Sequence, residues 1–441
     1  MNFKLDSAVF EGAYSIINLM GGYLPFEYSG PKSEFLASRD SAWLGINLNT
    51  TPVYEVKGPD AVKLLNKVCV NRDYAKLKMG GSRHALMCNE KGQMLADGLI
   101  IRTGEDEFRS YWLAPVLDYY VQSLGMNVTG NYVMDEYFFQ IDGPKSLEIM
   151  EEVCQCDLHD IKFAGKKVVE VLGTEMTIVR LGMSGALAYE VHGAAEYAEM
   201  IYKKIRKVVE KFGGKPQGVR NYGIINHTPA GYPNQLQHYA YPLLSSDPGL
   251  AEFASKACFI MGLSGSAAED PNQFYMTPYD VGWGHLVNFE LDFIGKEALL
   301  KIKDNPPKCV VTLEWNTEDV GDVFMSQFRG KDVEPFDPIE QYTVLSDASG
   351  GATIRGDFVM ADGKKIGIAT GKTYGYYEQR MISLGFIDTE YAKQGDELIV
   401  LWGPSGQPQK EIRATVASFP YYNGEFRNET FDVETIPHPK F

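Results

Sequence analysis

The stretch Arg83-His-Ala-Leu-Met-Cys-Asn-Glu-Lys-Gly-Gln-Met-Leu-Ala-Asp-Gly-Leu-Ile-Ile-Arg102 sets two apolar runs around Asn89-Glu90-Lys91-Gly92. A short polar loop ending in glycine between apolar runs reads as a β-hairpin, because glycine accepts the positive φ such loops require. Side chains alternate faces along a strand, which predicts that Leu95, Asp97, Leu99 and Ile101 share one face. Asp97 is then a carboxylate among leucines. Buried without a partner it would be costly, so it requires a donor. Either backbone near the turn supplies one, or the rest of the protein and a ligand do.

A chain of 441 residues has room for roughly two to three domains and an ample core. Apolar content of 44% and charged content of 23% are those of a soluble globular protein. A net charge of −16 and a pI of about 5.0 argue against nucleic-acid or anionic-membrane partners. Met1–Ala8 carries no charged-then-apolar leader pattern, and no apolar run is long enough to span a bilayer. A cytoplasmic location and a small-molecule partner are the expectation. The oligomeric state is not legible. Of the cysteines at 69, 88, 154, 156, 258 and 309, only Cys154 and Cys156 are close, and C-x-C is not a zinc spacing. Free thiols in a reducing compartment are expected. The histidines include no H-x-x-x-H pair, so no metal is inferred.

An internal echo follows the first fifty residues. Tyr54-Glu-Val-Lys-Gly-Pro-Asp-Ala-Val-Lys-Leu-Leu65 is matched by Phe139-Gln-Ile-Asp-Gly-Pro-Lys-Ser-Leu-Glu-Ile-Met150. Each reads as a strand, a Gly-Pro corner and a helix, since proline at a helix's first turn forfeits no needed hydrogen bond. Two related α+β halves are expected. Glu196–Lys211 is an amphipathic helix stopped by Gly213-Gly214. Residues 221–246 are rich in Tyr, Pro, His and Asn without periodicity, which predicts an ordered, ligand-facing loop. Asp304-Asn-Pro-Pro-Lys308 ends the helical segment 296–303 and marks a boundary. Beyond it, 309–315, 359–370, 381–387 and 397–401 read as strands of a small β-barrel or sandwich, with 316–341 as an insertion or covering loop.

In order along the chain, Gly92-Gln-Met-Leu-Ala-Asp-Gly-Leu-Ile-Ile101, Arg180-Leu-Gly-Met-Ser-Gly-Ala-Leu-Ala-Tyr-Glu-Val191, Pro278-Tyr-Asp-Val-Gly-Trp-Gly-His-Leu-Val-Asn-Phe289, Gly367-Ile-Ala-Thr370, Ile382–Ile387 and Gly395-Asp-Glu-Leu-Ile-Val400 resemble the glycine-cleavage T-protein (aminomethyltransferase) family. Val311–Val320 and Phe324–Phe328 resemble its branch of tetrahydrofolate-dependent aryl O-demethylases of the vanillate and syringate type. The resemblance implies an α+β fold, a three-domain ring of two related α+β domains plus a C-terminal β-barrel. It places the first domain at 1–53 and 138–235, the second at 54–137 and 236–305, and the barrel at 309–441. It implies tetrahydrofolate as cofactor and a methoxylated aromatic compound as methyl donor, giving a phenol and 5-methyltetrahydrofolate. Other readings stay open: a sulfonium or N-methyl donor, or a non-catalytic folate-binding relative.

The departures bear on chemistry. Ala96 replaces the first acid of the T-protein hairpin, Asn226-His-Thr-Pro-Ala-Gly231 lacks that family's Arg and Glu, and His285 stands where its Trp is expected. Leu113 occupies the place of a carboxylate-binding Arg, which points to a neutral arene. By resemblance, Glu190 takes the pterin edge and Asp97 the folate's central nitrogens, with Tyr189, His285 and Trp112 nearby. The departing phenolate needs an acid, because it is otherwise a poor leaving group. Tyr241 and Tyr239 are the candidates, with a phenol pKa near that of the leaving group. Tyr28, His227 and His238 are expected at the substrate.

Overall fold

The computed structural model describes residues 7–19, 22–235, 237–258, 260–339 and 353–441. The leader reading at Met1–Asp6 and the end of the expected insertion lie outside them. Three large sheets organise the chain.

The first has six strands in the order 166–171, 174–179, 188–194, 136–142, 43–45 and 215–217. Helices Ser146–Cys154 and Ala198–Lys211 cover it. Along the second helix Ile201, Tyr202, Ile205, Val208 and Val209 are buried on the face the sequence period defines. The second sheet has five strands, 82–88, 94–104, 107–111, 53–57 and 129–132, and is packed by helices Ala61–Val68 and Val116–Ser123. The echoed segments are equivalent. Gly58 (φ 137°) and Gly143 (φ 142°) make the same corner before Pro59 and Pro144. A β-carbon at Gly143 would lie 2.3 Å from the Ser41 carbonyl, so only glycine lets these backbones meet.

The third sheet closes on itself. Strands 353–361, 364–375, 380–388, 308–315, 410–417 and 397–402 pair in turn, and the last returns to the first as a six-stranded barrel. Closure is made where Val359 and Met360 pair with Val400 and Ile399, and it removes the edge there. The short strand Gly262–Ser264 adds in parallel to 353–355.

Four sequence expectations are adjusted. The expected strand 359–370 is two strands joined at Asp362-Gly363, both with positive φ, the Asp-Gly signal of a tight hairpin. The segment 316–341 carries a helix, Thr317–Ser326, capped by the Asn316 side chain. Residues 220–226 form a π-helical turn that runs into helix His227–Ala230, rather than an irregular loop. Single π turns interrupt the 3.6 period and leave no apolar pattern to read. In the hairpin, Met87 pairs with Ala96 but Cys88 pairs with Met94. Leu95 is the extra residue of a bulge, and it packs with Ala96 rather than with Leu99 and Ile101. No helix among the described residues is long and apolar enough to cross a membrane.

Candidate active site

The donor Asp97 required comes from far along the chain. Tyr239 Oη donates to Asp97 Oδ1 at 2.6 Å and Tyr241 Oη donates to the same oxygen at 2.5 Å. The Asp97 backbone N–H donates back to Tyr241 Oη at 2.8 Å. His84 Nε2 lies 3.4 Å from Oδ2, and its ring meets Trp283 edge-on at 4.7 Å. The two tyrosines alternate about Ala240, whose N–H bonds the Phe274 carbonyl in an isolated bridge, so both rings leave on one side. Gly98 holds the neighbouring strand close: a β-carbon there would sit 2.0 Å from the Tyr111 carbonyl.

Burial pushes the Asp97 carboxyl up, but hydrogen bonds from His84, Tyr239 and Tyr241 and the His84 charge outweigh it and hold it below its usual range. Burial, then the Asp97 charge, pushes both tyrosines well above 10. The sequence-based match to a leaving phenol near 10 is therefore replaced. These hydroxyls hold their protons more tightly than a free phenol and act as hydrogen-bond donors.

Tyr241 also lines a cavity of about 170 Å³ with Leu95, Ala96, Trp112, Leu113 and Tyr275. Apolar cavities of about 150 Å³ admit a benzene ring. Among the described residues its wall carries no Lys, Arg, His, Asp or Glu. Trp112 stands in the left-handed region (φ 69°), a strained conformation for a tryptophan.

A second group of polar side chains lies on one face of the six-stranded sheet. Pairing aligns Gln217 with Gly45, Gly45 with Gln140, and Gln140 with Glu190. Directly opposed residues share a face. The amide atoms of Gln140, Gln217 and Asn226 and the Trp43 indole nitrogen are buried without hydrogen-bond partners, and Glu190 is buried beside Gln140. Such orphaned groups are rare unless a ligand meets them. Burial, then Asp142, raises the Glu190 carboxyl to about 8. Burial also raises Asp142 to about 7. Tyr222 feels both acids and lies edge-on to Trp43 and to His227, while His227 feels Asp97. The two groups are thus linked through Tyr222 and His227.

The remaining candidates are placed variously. His227 is buried, lowered to about 4 by burial, and has no partner at Nδ1. His238 is spent on structure. Thr228 donates its hydroxyl to the Gly371 carbonyl, so His238 Nε2–H must donate to Thr228, while Nδ1 accepts the Asn234 N–H. Tyr28 donates to the Val9 carbonyl and packs by Tyr202, with none of its bonds at the cavity or Asp97. Tyr189 points into the first core. His285 is exposed, near the Gly282 carbonyl. Trp283, Trp43, Gln140, Gln217 and Asn226 were not anticipated. Only sheet pairing brings most of them together, although Trp283 stood in the quoted Gly-Trp-Gly segment.

The chain belongs to the GCVT family. That family's profile, "GCVT N-terminal domain", matches residues 10–226. The chain is 43% identical to a sesamin methylene transferase of Sinomonas sp., over 98% of each chain. It is 28% identical to a syringate O-demethylase of Sphingobium sp., over 90% of each. An aminomethyltransferase of Thermoanaerobacter pseudethanolicus is 24% identical over 93% of this chain and 95% of its own. A crystal structure of glycine cleavage system aminomethyltransferase T from Bartonella henselae superposes with a TM-score of 0.66, covering 95% of this chain and 97% of that one at 18% identity. It shares the fold.

Proposed function

We propose that the protein is a tetrahydrofolate-dependent methyltransferase that cleaves an aryl ether. With a methoxyarene the products are a phenol and 5-methyltetrahydrofolate. The observation that carries this is Tyr241, which lines an apolar, uncharged cavity while its hydroxyl is bonded to Asp97. Relatives named for syringate and sesamin, both aromatic ethers, support the substrate class.

The buried orphan atoms fit a reduced pterin. Glu190 suits its paired amino and ring N–H donors, and Gln140, Gln217 and Asn226 suit its remaining edge. Donors brought to Glu190 favour its ionised form, so binding releases a proton near neutral pH. Reduced folate supplies a nucleophilic ring nitrogen when bound. Tyr241 redirects its hydroxyl from Asp97 to the departing ether oxygen, and Tyr239 keeps Oδ1 satisfied meanwhile. A preorganised donor aimed at developing negative charge is a large catalytic term in a site that excludes water. Leu113 and its apolar neighbours select a neutral ring, since an unpaired carboxylate there would be costly.

A second reading is methylene transfer. The 43% identical relative is named for sesamin, whose rings carry methylenedioxy bridges. Such a bridge would give a catechol and 5,10-methylenetetrahydrofolate. Incubation with tetrahydrofolate and matched methoxy- and methylenedioxyarenes, with mass detection of both folates, separates the readings. Formation of neither product overturns both.

The discontinuous division at 1–53 with 138–235, 54–137 with 236–305, and 309–441 belongs to the same proposal. Strand 43–45 lying inside the sheet of 136–217 supports it. A cytoplasmic location is proposed with it, supported by six free cysteines.

A further inference from the structure

We propose that Asp157, His159 and His438 form a structural site for one zinc-like divalent cation, which fastens the C-terminal segment to the first sheet unit. Their ligand atoms all lie within 4.8 Å of one another. Asp157 Oδ1 is 3.0 Å from His159 Nδ1, and Oδ2 is 2.6 Å from His438 Nδ1. Glu151 Oε1, 2.9 Å from His159 Nδ1, offers a fourth donor.

The outer nitrogens fix the roles of the inner ones. His159 Nε2 is 3.0 Å from the Ile436 carbonyl oxygen, which can only accept, so Nε2 carries a proton. His438 Nε2 is 3.1 Å from a Glu434 carboxylate oxygen and is a donor too. A histidine that binds metal through one nitrogen ordinarily donates its other N–H to a carbonyl or carboxylate. Both imidazoles are held in that way, with both Nδ1 atoms turned to one carboxylate.

Protons alone fill this arrangement only by charging both rings. Each Nδ1 would need its own proton to bond Asp157, giving two imidazolium rings stacked at 4.0 Å and 22°. Like charges at that distance repel, and the Glu151, Asp157 and Glu434 carboxylates on the two rings offset part of that repulsion. A divalent cation takes the place of the two inward protons and leaves two neutral rings. Lys167, beside the site, bonds the Asp157 carbonyl and the Asp160 carboxylate rather than the Asp157 carboxylate.

Two imidazole nitrogens with one or two carboxylates suit zinc at about 2.0–2.2 Å in a tetrahedral set, whereas magnesium prefers all-oxygen shells. His159 is buried and anchored, while the His438 side chain is 53% exposed, so an ion enters from the tail side. His159 and His438 lie 279 residues apart in the sequence, which explains why no ligand spacing is legible.

The test is calorimetric titration of zinc into chelator-washed full-length protein, beside H438A and D157N, with magnesium in parallel. The expected result is one zinc per chain, binding at least about tenfold weaker in each variant, and no comparable magnesium response. Zinc should raise the thermal midpoint of the parent and not of the variants. H438A replaces an exposed ring, and D157N keeps the side-chain shape, so one of them remains folded for comparison. No zinc binding by the parent, or unchanged binding in both variants, overturns the site. Loss of turnover in H438A overturns its purely structural role.

Discussion

Tyr241 and Asp97 bond each other twice: the phenol donates to the carboxylate at 2.5 Å and accepts the backbone N–H at 2.8 Å. A side chain held by both ends of one residue has a fixed direction. It can release its proton bond without losing its place, because the N–H bond remains.

Y241F removes the hydroxyl and keeps the ring in the cavity wall. Turnover should fall roughly 10²–10³-fold, the usual effect of losing one preorganised donor, with folate affinity little changed. The loss should be larger for an electron-rich methoxyarene than for an activated, electron-poor one. Y239F should cost less, since Tyr239 does not line the cavity. Steady-state rates for both variants on both substrates check this, and equal sensitivity to leaving group would place the donor elsewhere.

E190Q tests the pterin contact. Losing a charge-assisted hydrogen bond should weaken reduced-folate binding by about 1.5–3 kcal/mol. Calorimetry with 5-methyltetrahydrofolate gives the value, and the gap should widen from pH 6.5 to pH 9 as Glu190 ionises. Identical affinities would remove Glu190 from the site.

The same residue sets a pH dependence. Its carboxyl is raised to about 8 in the folded protein, against an ordinary value of 4.5. The folded state therefore holds the extra proton between these limits. Its stabilising contribution is full below about 4.5 and lost as pH rises toward 8. Thermal melts of ligand-free parent and E190Q should show the parent falling more steeply across this window. Parallel curves would contradict it.

Charge selectivity should be marked. A neutral methoxyarene should exceed its carboxylated analogue in kcat/KM by at least about tenfold, because the described residues of the cavity wall include no cation to meet the carboxylate. Competition between the two substrates measures the ratio directly.

Turnover should survive exhaustive treatment with a chelator, since Asp157, His159 and His438 make no bond to Asp97, Tyr239 or Tyr241. Activity abolished by the chelator and restored by one metal would reverse this.

The hairpin was legible because Gly92 and the flanking apolar runs are local signals, and the echoed Gly-Pro corners were legible for the same reason. Asp97 stood out as an acid among leucines. Tyr239 and Tyr241 were readable as a pair because they are two apart on extended chain, although their tight hold on their protons depends on burial that no composition reveals. The bulge at Leu95 and the π turn at 220–226 break a period by one residue, so periodicity passes over them. The row Gln217, Gly45, Gln140 and Glu190 is an accident of sequence and a product of sheet pairing.

The tail that carries His438 also completes the first core. Arg180 bonds the Asn428 and Phe431 carbonyls, Arg39 lies 3.6 Å over the Tyr422 ring, and Val433 is buried in the cluster that contains Val9. Ribosomal synthesis delivers Val9 long before Val433. Earlier domains usually fold as they emerge. Here the first sheet unit waits for the barrel to be made before its final cover arrives, so the nascent chain carries an incompletely covered core from the emergence of Val219 until that of Val433.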